Sequence, residues 1–309
     1  MALDVNSVGI LFPGQGAQAV GMGRWMYETH PTAKRLFTEA SEVLGYDLGG
    51  ICFDGPTEKL SATVYAQPAL FVVGIAAAEI LCEQDHSMRS RITSAAGLSL
   101  GEYTAVCFAG GLGFADAVRL VKRRGEAMQA AADAVESSMA SVLGLDLEKL
   151  TDVCDQARRD SDVLRPANLL CPGNIAVSGH STAIDRLEPL AVEAGAMKVV
   201  RLSVAGAFHT SLMQPAVAAL EEALQEMPIT DTRIPVYSNV DAAPHQSAAQ
   251  IRTLLSQQVV SPVQWEASLR RMMADGVEGF IEAGTGRVLR GILKRIERKF
   301  PTDGFGDGA

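Results

Sequence analysis

Residues 97–101 read Gly-Leu-Ser-Leu-Gly, the G-x-S-x-G arrangement in which a serine can act as a nucleophile. A strand has to turn sharply into a helix with the serine at the apex. Small residues two before and two after let the backbone fold back without a clash. Ser99 then stands at a helix N-terminus, where unpaired backbone N–H groups stabilise an anion. The Leu100 N–H is placed to be one oxyanion donor. The competing reading is a glycine-rich strand-to-helix turn with no chemistry. A nucleophilic serine also needs a base, and the chain has five histidines. His30 and His86 lie in polar stretches and read as surface residues. His180 reads as a loop residue before a Ser181 N-cap, and His245 as part of a polar turn. His209 ends a strand-like run just before a helix at 211–226, on the kind of sheet rim where α/β enzymes place catalytic groups. From spacing alone, a structural histidine is as good a reading as a base. Gly14-Gln15-Gly16 after a strand could be a phosphate loop, but it is not G-x-G-x-x-G and no Walker lysine follows.

Short apolar strands alternating with helical patterns would position these groups, which implies an α/β fold with a mainly parallel sheet. Residues 8–12 and 91–97 read as strands, and 100–110 and 112–131 as helices. Residues 66–82 are apolar on nearly every side and read as a buried helix. From about 137 the rhythm changes: strand 139–143, helix 146–159, strands 163–169 and 174–178, helix 181–194, strand 198–203. That order is βαββαβ, the ferredoxin-like unit, and it reads as an insertion. The first pattern then resumes with helices 211–226, 247–258 and 265–274, strands 233–237 and 277–282, and a basic helix at 287–299. The tail 304–309 is expected to lack order.

The chain has 309 residues, 48% apolar and 20% charged, enough for one large domain with an inserted smaller one. No basic segment leads into an apolar stretch at the N-terminus, and no apolar run reaches the roughly 18 residues of a membrane helix. Neither a signal peptide nor a membrane span is therefore expected. The five cysteines, at 52, 82, 107, 154 and 171, form no Cys-x-x-Cys. Zinc and disulfide readings are poor, and a reducing cytoplasm fits. A net charge of −9 argues against nonspecific nucleic-acid binding.

Six motifs then occur in order. They are Phe-Pro-Gly-Gln-Gly-Ala-Gln at 12–18, Gly-Leu-Ser-Leu-Gly-Glu-Tyr at 97–103, Ala-Asn-Leu-Leu-Cys-Pro-Gly-Asn at 167–174, Gly-Ala-Phe-His at 206–209, Ser-Pro-Val-Gln-Trp at 261–265 and Gly-Thr-Gly-Arg-Val-Leu at 284–289. Together they resemble the malonyl-CoA:acyl carrier protein transacylases of fatty-acid synthesis, close kin of the acyltransferase domains of polyketide synthases. The likeness runs from about residue 8 to 297. It implies a hydrolase-like domain, residues 1–134 and 206–309, with a ferredoxin-like subdomain, 135–205, and the active site between them. It assigns the nucleophile to Ser99 and the base to His209. Gln258 falls where the family orients that histidine with a backbone carbonyl. Gln15 falls where it takes a second oxyanion N–H, beside that of Leu100. Arg124 matches the arginine that holds the malonyl carboxylate. Gln67 matches a further site residue, and Asn168 a polar contact of the substrate loop.

Two positions depart from the family pattern. Leu98 stands where many members have histidine, and Leu170 where some carry a second asparagine. Phe208 gives the Ala-Phe-His form of malonyl-selective members, whose ring would occupy the space of an α-methyl group. The implied reaction is a ping-pong transfer of malonyl from malonyl-CoA to acyl carrier protein, with no metal and no resident cofactor. A cytoplasmic monomer that binds neither nucleic acid nor membrane is expected. Lys198, Arg201, Arg287 and Arg290 are the candidate contacts for an acidic carrier. From the residues alone, Arg124 in the run Lys122-Arg123-Arg124 reads as a solvated arginine. A stand-alone polyketide acyltransferase, a serine thioesterase and a non-enzymatic carrier-binding protein stay open.

Overall fold

Five consecutive apolar residues, Val8–Phe12, form strand β1, which is buried along its whole length. The computed structural model, which describes residues 3–306, places it inside a six-stranded sheet. The strands in chain order are β1, β2 (Ile92–Gly97), β3 (Ser137–Leu143), β4 (Leu164–Cys171), β5 (Asn174–His180), β6 (Lys198–Arg201), β7 (Val236–Tyr237), β8 (Pro244–His245), β9 (Gly279–Ala283) and β10 (Thr302–Phe305). The larger sheet has the order β10-β9-β1-β2-β7-β8. All its pairings are parallel except β7 with β8. Side chains alternate across it, as a strand's period of two requires. Val8, Ile10 and Phe12 enter the core under the long helices. Leu11 faces a second core with Trp265, Leu269, Met272 and Phe280.

The centre of the first core is the helix Thr63–Gln84. It is long and apolar enough to cross a membrane, contrary to the sequence expectation that no segment is. However, 83% of its most apolar stretch is buried inside the protein. A helix that is apolar all round has to be covered on every side, and here the helices Phe114–Asp133, Leu100–Phe108 and Pro31–Leu44 cover it.

Residues 137–201 build the second sheet, antiparallel throughout, in the order β4-β5-β3-β6. The helices Leu147–Ala157 and Ser181–Glu193 contribute to a separate core there, around Val142, Leu150, Val177 and Leu187. β4 is tied to the larger domain by an isolated parallel bridge between Asn168 and Val263, in the loop before the helix Trp265–Ala274, with Leu169 N–H donating to Val263 O and Val263 N–H to Ala167 O.

Several expectations are corrected. Residues 304–306 are not a loose tail. Thr302–Phe305 pairs in register with β9, and Phe305 lies edge-on to Trp25; residues 307–309 fall outside the described residues. The run before His209 is not a strand: after the bond from Leu202 N–H to Met139 O, no residue of 203–210 lies in a strand. His180 is the last residue of β5 rather than a loop residue, and its Nδ1 accepts from the Val163 N–H at 2.9 Å. His245 lies in β8 and is held to Asp241 at 2.9 Å. Residues 24–61, unassigned from the sequence, are four short helices.

Candidate active site

β1 and β2 run side by side and end together, with Phe12 opposite Gly97. The chain leaves both strands at their carboxyl ends, where open α/β sheets bind ligands. At the end of β2 the backbone turns into the helix Leu100–Phe108, with Ser99 at φ 51°, ψ −101°. The two flanking glycines are sterically required. A Cβ on Gly97 would lie 1.9 Å from the carbonyl carbon of Gly101, and one on Gly101 would lie 2.1 Å from Phe12 O. The strained serine is splinted by Asn239. Its Oδ1 accepts from the Ser99 N–H at 2.7 Å, and its Nδ2 donates to Gly97 O at 2.8 Å.

Ser99 Oγ lies 2.8 Å from His209 Nε2, and His209 Nδ1 lies 2.9 Å from the backbone oxygen of Gln258. A carbonyl only accepts, so Nδ1 carries the proton and Nε2 presents a lone pair to the serine hydroxyl. His209 is 2% exposed, at φ 62°. Burial, and after it the charge of Arg124, pushes its pKa down to about 4 against the pull of the Gln258 carbonyl. The imidazole is therefore neutral near pH 7, as a base must be.

Arg124 is buried, not solvated. It is 1% exposed and stacks over the Tyr103 ring with Cζ 4.9 Å from the centroid. Nη1 donates to Gln67 Oε1 at 2.7 Å. Nη2 donates to Gln258 Oε1 at 2.9 Å and to Ser99 Oγ at 3.1 Å. Nε has no partner. Its neighbour Arg123 pairs with Glu226 on the surface.

A cavity of about 60 Å³ opens on these groups. Gln15, Leu98, Ser99, Leu100, Arg124, Asn168, Phe208 and His209 line it, together with Met128, Met139, Leu202 and Val204. Both sheets contribute to it, through Ser99 and Asn168 for example. Leu100 opens its helix, so its N–H has no intrahelical acceptor. Gln15 follows β1, with its side chain directed to Thr63 Oγ1 at 3.4 Å. Asn168 Oδ1 is buried without a partner. Gln67, the further site residue, accepts from Arg124 and also lies near Met128 Sδ; it is not among the residues lining the cavity. Leu98 packs among apolar neighbours where a histidine was the commoner choice. Of the four candidate carrier contacts, Lys198, Arg201 and Arg287 are exposed. Arg201 pairs with Asp185. Arg290 is half-buried and bound to Glu282 and Gly286 O.

The sequence reading gave no role to Asn239 or Glu102. Glu102, 3% exposed, accepts from Gln258 Nε2 at 2.5 Å and from the Asn239 N–H at 3.2 Å. Burial pushes its pKa up to about 7, opposed by these donors and by Ser238. A signal was available in both cases: Glu102 is three residues past the nucleophile, and Asn239 comes two residues after a strand. Two larger hollows, of about 640 and 570 Å³, are lined by none of these groups.

The acyl transferase domain family matches residues 10–298. The malonyl CoA-acyl carrier protein transacylase of Bacillus subtilis (strain 168) is 43% identical over 305 residues, covering 98% of this chain and 94% of the relative. The human mitochondrial malonyl-CoA-acyl carrier protein transacylase is 41% identical over 296 residues, 92% of this chain and 76% of the relative. Among solved structures, the malonyl-CoA:acyl carrier protein transacylase of Xanthomonas oryzae pv. oryzae superposes with a TM-score of 0.92 at 40% identity, over 97% of this chain and 94% of that one. A malonyl-transacylase solved in complex with a type II polyketide acyl-carrier protein superposes with a TM-score of 0.93 at 34% identity, over 98% and 96%.

Proposed function

The chain belongs to the malonyl-CoA:acyl carrier protein transacylase family, and from that premise we propose that it moves a malonyl group from malonyl-CoA to the phosphopantetheine thiol of an acyl carrier protein, through an ester on Ser99, for fatty-acid chain elongation. One observation carries this reading. Ser99 Oγ has the neutral His209 Nε2 at 2.8 Å on one side and the guanidinium of Arg124 at 3.1 Å on the other. A nucleophile with its base is thereby set beside a carboxylate receptor.

Ser99 Oγ attacks the thioester carbonyl as its proton passes to His209 Nε2. The oxyanion forms toward the N–H groups of Gln15 and Leu100. The tetrahedral species collapses, the C–S bond breaks, and His209 returns the proton to the departing thiol. The carrier thiol then reverses the sequence, giving its proton to His209 and releasing Ser99. Thiolate leaves readily, so a carbonyl on Nδ1 is enough to orient the histidine, where a hydrolase triad would use a carboxylate. A thioesterase would also have to activate water against the ester, which is harder than activating a thiol, so the carbonyl-held histidine favours acyl transfer. Arg124 retains its unpartnered Nε, and an Nη2 now spent on Ser99, for the substrate carboxylate. Two parallel bonds from one guanidinium match a carboxylate as an ammonium cannot. No step calls for a metal or a resident cofactor.

We read residues 135–205 as the ferredoxin-like insert of a hydrolase-like domain made of 1–134 and 206–309. The strand order of the smaller sheet and its separate core support this. The protein is taken to work as a monomer in the cytoplasm, with its five free cysteines reduced. The test is peptide mapping after mixing with malonyl-CoA alone. A malonyl adduct is expected on Ser99, and none on the Ser99→Ala protein. A stable adduct on Ser99→Ala would refute the assignment.

A further inference from the structure

Arg124 is a fully buried cation whose hydrogen-bond partners, Gln67, Gln258 and Ser99, are all neutral. A buried charge without a countercharge is costly. The carboxylate that acts on it is that of Glu102, and the influence is mutual: Arg124 favours the ionised Glu102, and Glu102 favours the guanidinium. The two do not touch. The side-chain amide of Gln258, itself fully buried, lies between them. Its Oε1 accepts from Arg124 Nη2 at 2.9 Å, and its Nε2 donates to Glu102 Oε2 at 2.5 Å and to Ser99 O at 2.9 Å. A guanidinium only donates, and a carboxylate and a carbonyl only accept, so this amide has one orientation. The same residue holds His209 with its backbone oxygen.

We propose that Glu102 is a positioning residue that balances the charge of Arg124 through the Gln258 amide and thereby limits how strongly the free site draws a substrate carboxylate. The arrangement follows from what the site has to do. A carboxylate in direct contact with Arg124 would compete with the substrate for the same N–H groups. No carboxylate at all would leave the guanidinium uncompensated until substrate arrives. A countercharge one amide away does neither.

This inference rests on the acyl-transfer reading, so binding is measured where no turnover can occur, in the Ser99→Ala protein. The probes are malonyl-CoA and acetyl-CoA, which differ by the carboxylate. Calorimetry is done at about pH 8, where Glu102 is ionised. Adding Glu102→Gln keeps the shape and the acceptor but removes the charge. The Kd of malonyl-CoA is expected to fall about three- to tenfold with that of acetyl-CoA unchanged, the size of a charge effect relayed across one group. A structural role would move both ligands together. Equal changes, no change, or weaker malonyl-CoA binding overturns the proposal.

Should the first variant fail to fold because Arg124 is left without a countercharge, a second keeps one carboxylate in the buried cluster. Glu102→Gln combined with Gln258→Glu moves the carboxylate onto Arg124 itself. Malonyl-CoA binding should then weaken about tenfold or more while acetyl-CoA binding holds; an unaltered malonyl-CoA affinity overturns the proposal. Absence of a malonyl adduct on Ser99 in the unmodified protein would instead refute the acyl-transfer reading on which the inference rests.

Discussion

The two walls of the active-site cavity are built on opposite terms. On one side Ser99, Arg124 and His209 are backed by Glu102, Asn239 and Gln258 in a polar network that is almost wholly buried. Most of its members have more than one partner, for example the three acceptors of Arg124. The other part of the lining is apolar, Leu98, Met128, Met139, Leu202, Val204 and Phe208, whose side chains carry no N–H or O–H donor. The first wall can distinguish charge and move a proton. The second can only fill or leave space. Polar networks in a low dielectric are worth most when every member is satisfied, and cost most when one is removed. Damage to the polar wall should therefore be severe and specific, and damage to the apolar wall graded.

The largest effect is expected at the base. His209→Ala should slow CoA release in a single turnover by about 10³-fold or more, since base and nucleophile act as a unit. A rate within tenfold of the unmodified protein would detach His209 from the chemistry. Next comes the splint. Asn239→Ala leaves the Ser99 N–H and the Gly97 carbonyl without their partner, at a cost of about 1–3 kcal/mol. A lower melting temperature and slower Ser99 acylation are expected together; a change in neither would leave the elbow's strain supported elsewhere.

The pH profile tests the same wall without a mutation. The folded pKa of His209, about 4, lies below the ordinary histidine value of about 6.5. Its stabilising contribution is complete above that unfolded value and is lost as pH falls through the folded one. Likewise the base is disabled only as pH approaches 4. At about pH 5.5 an exposed imidazole would leave acylation about tenfold down, whereas His209 should keep it near its plateau. An acid limb near 6.5 would mean that the site is wetter than its burial indicates. The smallest effect belongs to the apolar wall. Phe208→Ser should raise turnover of methylmalonyl-CoA relative to malonyl-CoA by about tenfold, the low end of what one methyl-sized contact is worth. Loss of stability at a fixed substrate ratio would make Phe208 a packing residue only.

What the sequence disclosed follows the same division. The elbow was legible because its sterics demand glycine at fixed offsets, and the two sheets because their periodicities differ. Arg124 looked solvated beside Lys122 and Arg123. Yet it falls on the helix face of Ala117, Val121, Gly125 and Met128, all buried, and a helical period alone would have turned it inward. The strand-rim argument for His209 fails, since no strand leads to it and a turn at positive φ holds it instead; its assignment rested on the resemblance carried by Gly-Ala-Phe-His. Glu102 and Asn239 escaped because their roles depend on residues well over a hundred positions apart meeting in space. Gln258 escaped in part, because no spacing reveals that a backbone oxygen will orient a base while the side chain of the same residue joins two charges. The order at β10 was hidden because its pairing with β9 depends on the assembled sheet.

On the proposed reading, the buried guanidinium beside the nucleophile recognises the substrate's carboxylate. The most direct test is the ratio of kcat/KM for malonyl-CoA to that for acetyl-CoA in Arg124→Ala. Removing one partner of a buried charge pair costs about 3–5 kcal/mol, so malonyl-CoA should lose on the order of 10²–10³ while acetyl-CoA falls little or rises. Arg124→Lys should recover only part of the loss, since ammonium keeps the charge without the fork. An equal fall for both thioesters would make Arg124 structural and contradict the claim.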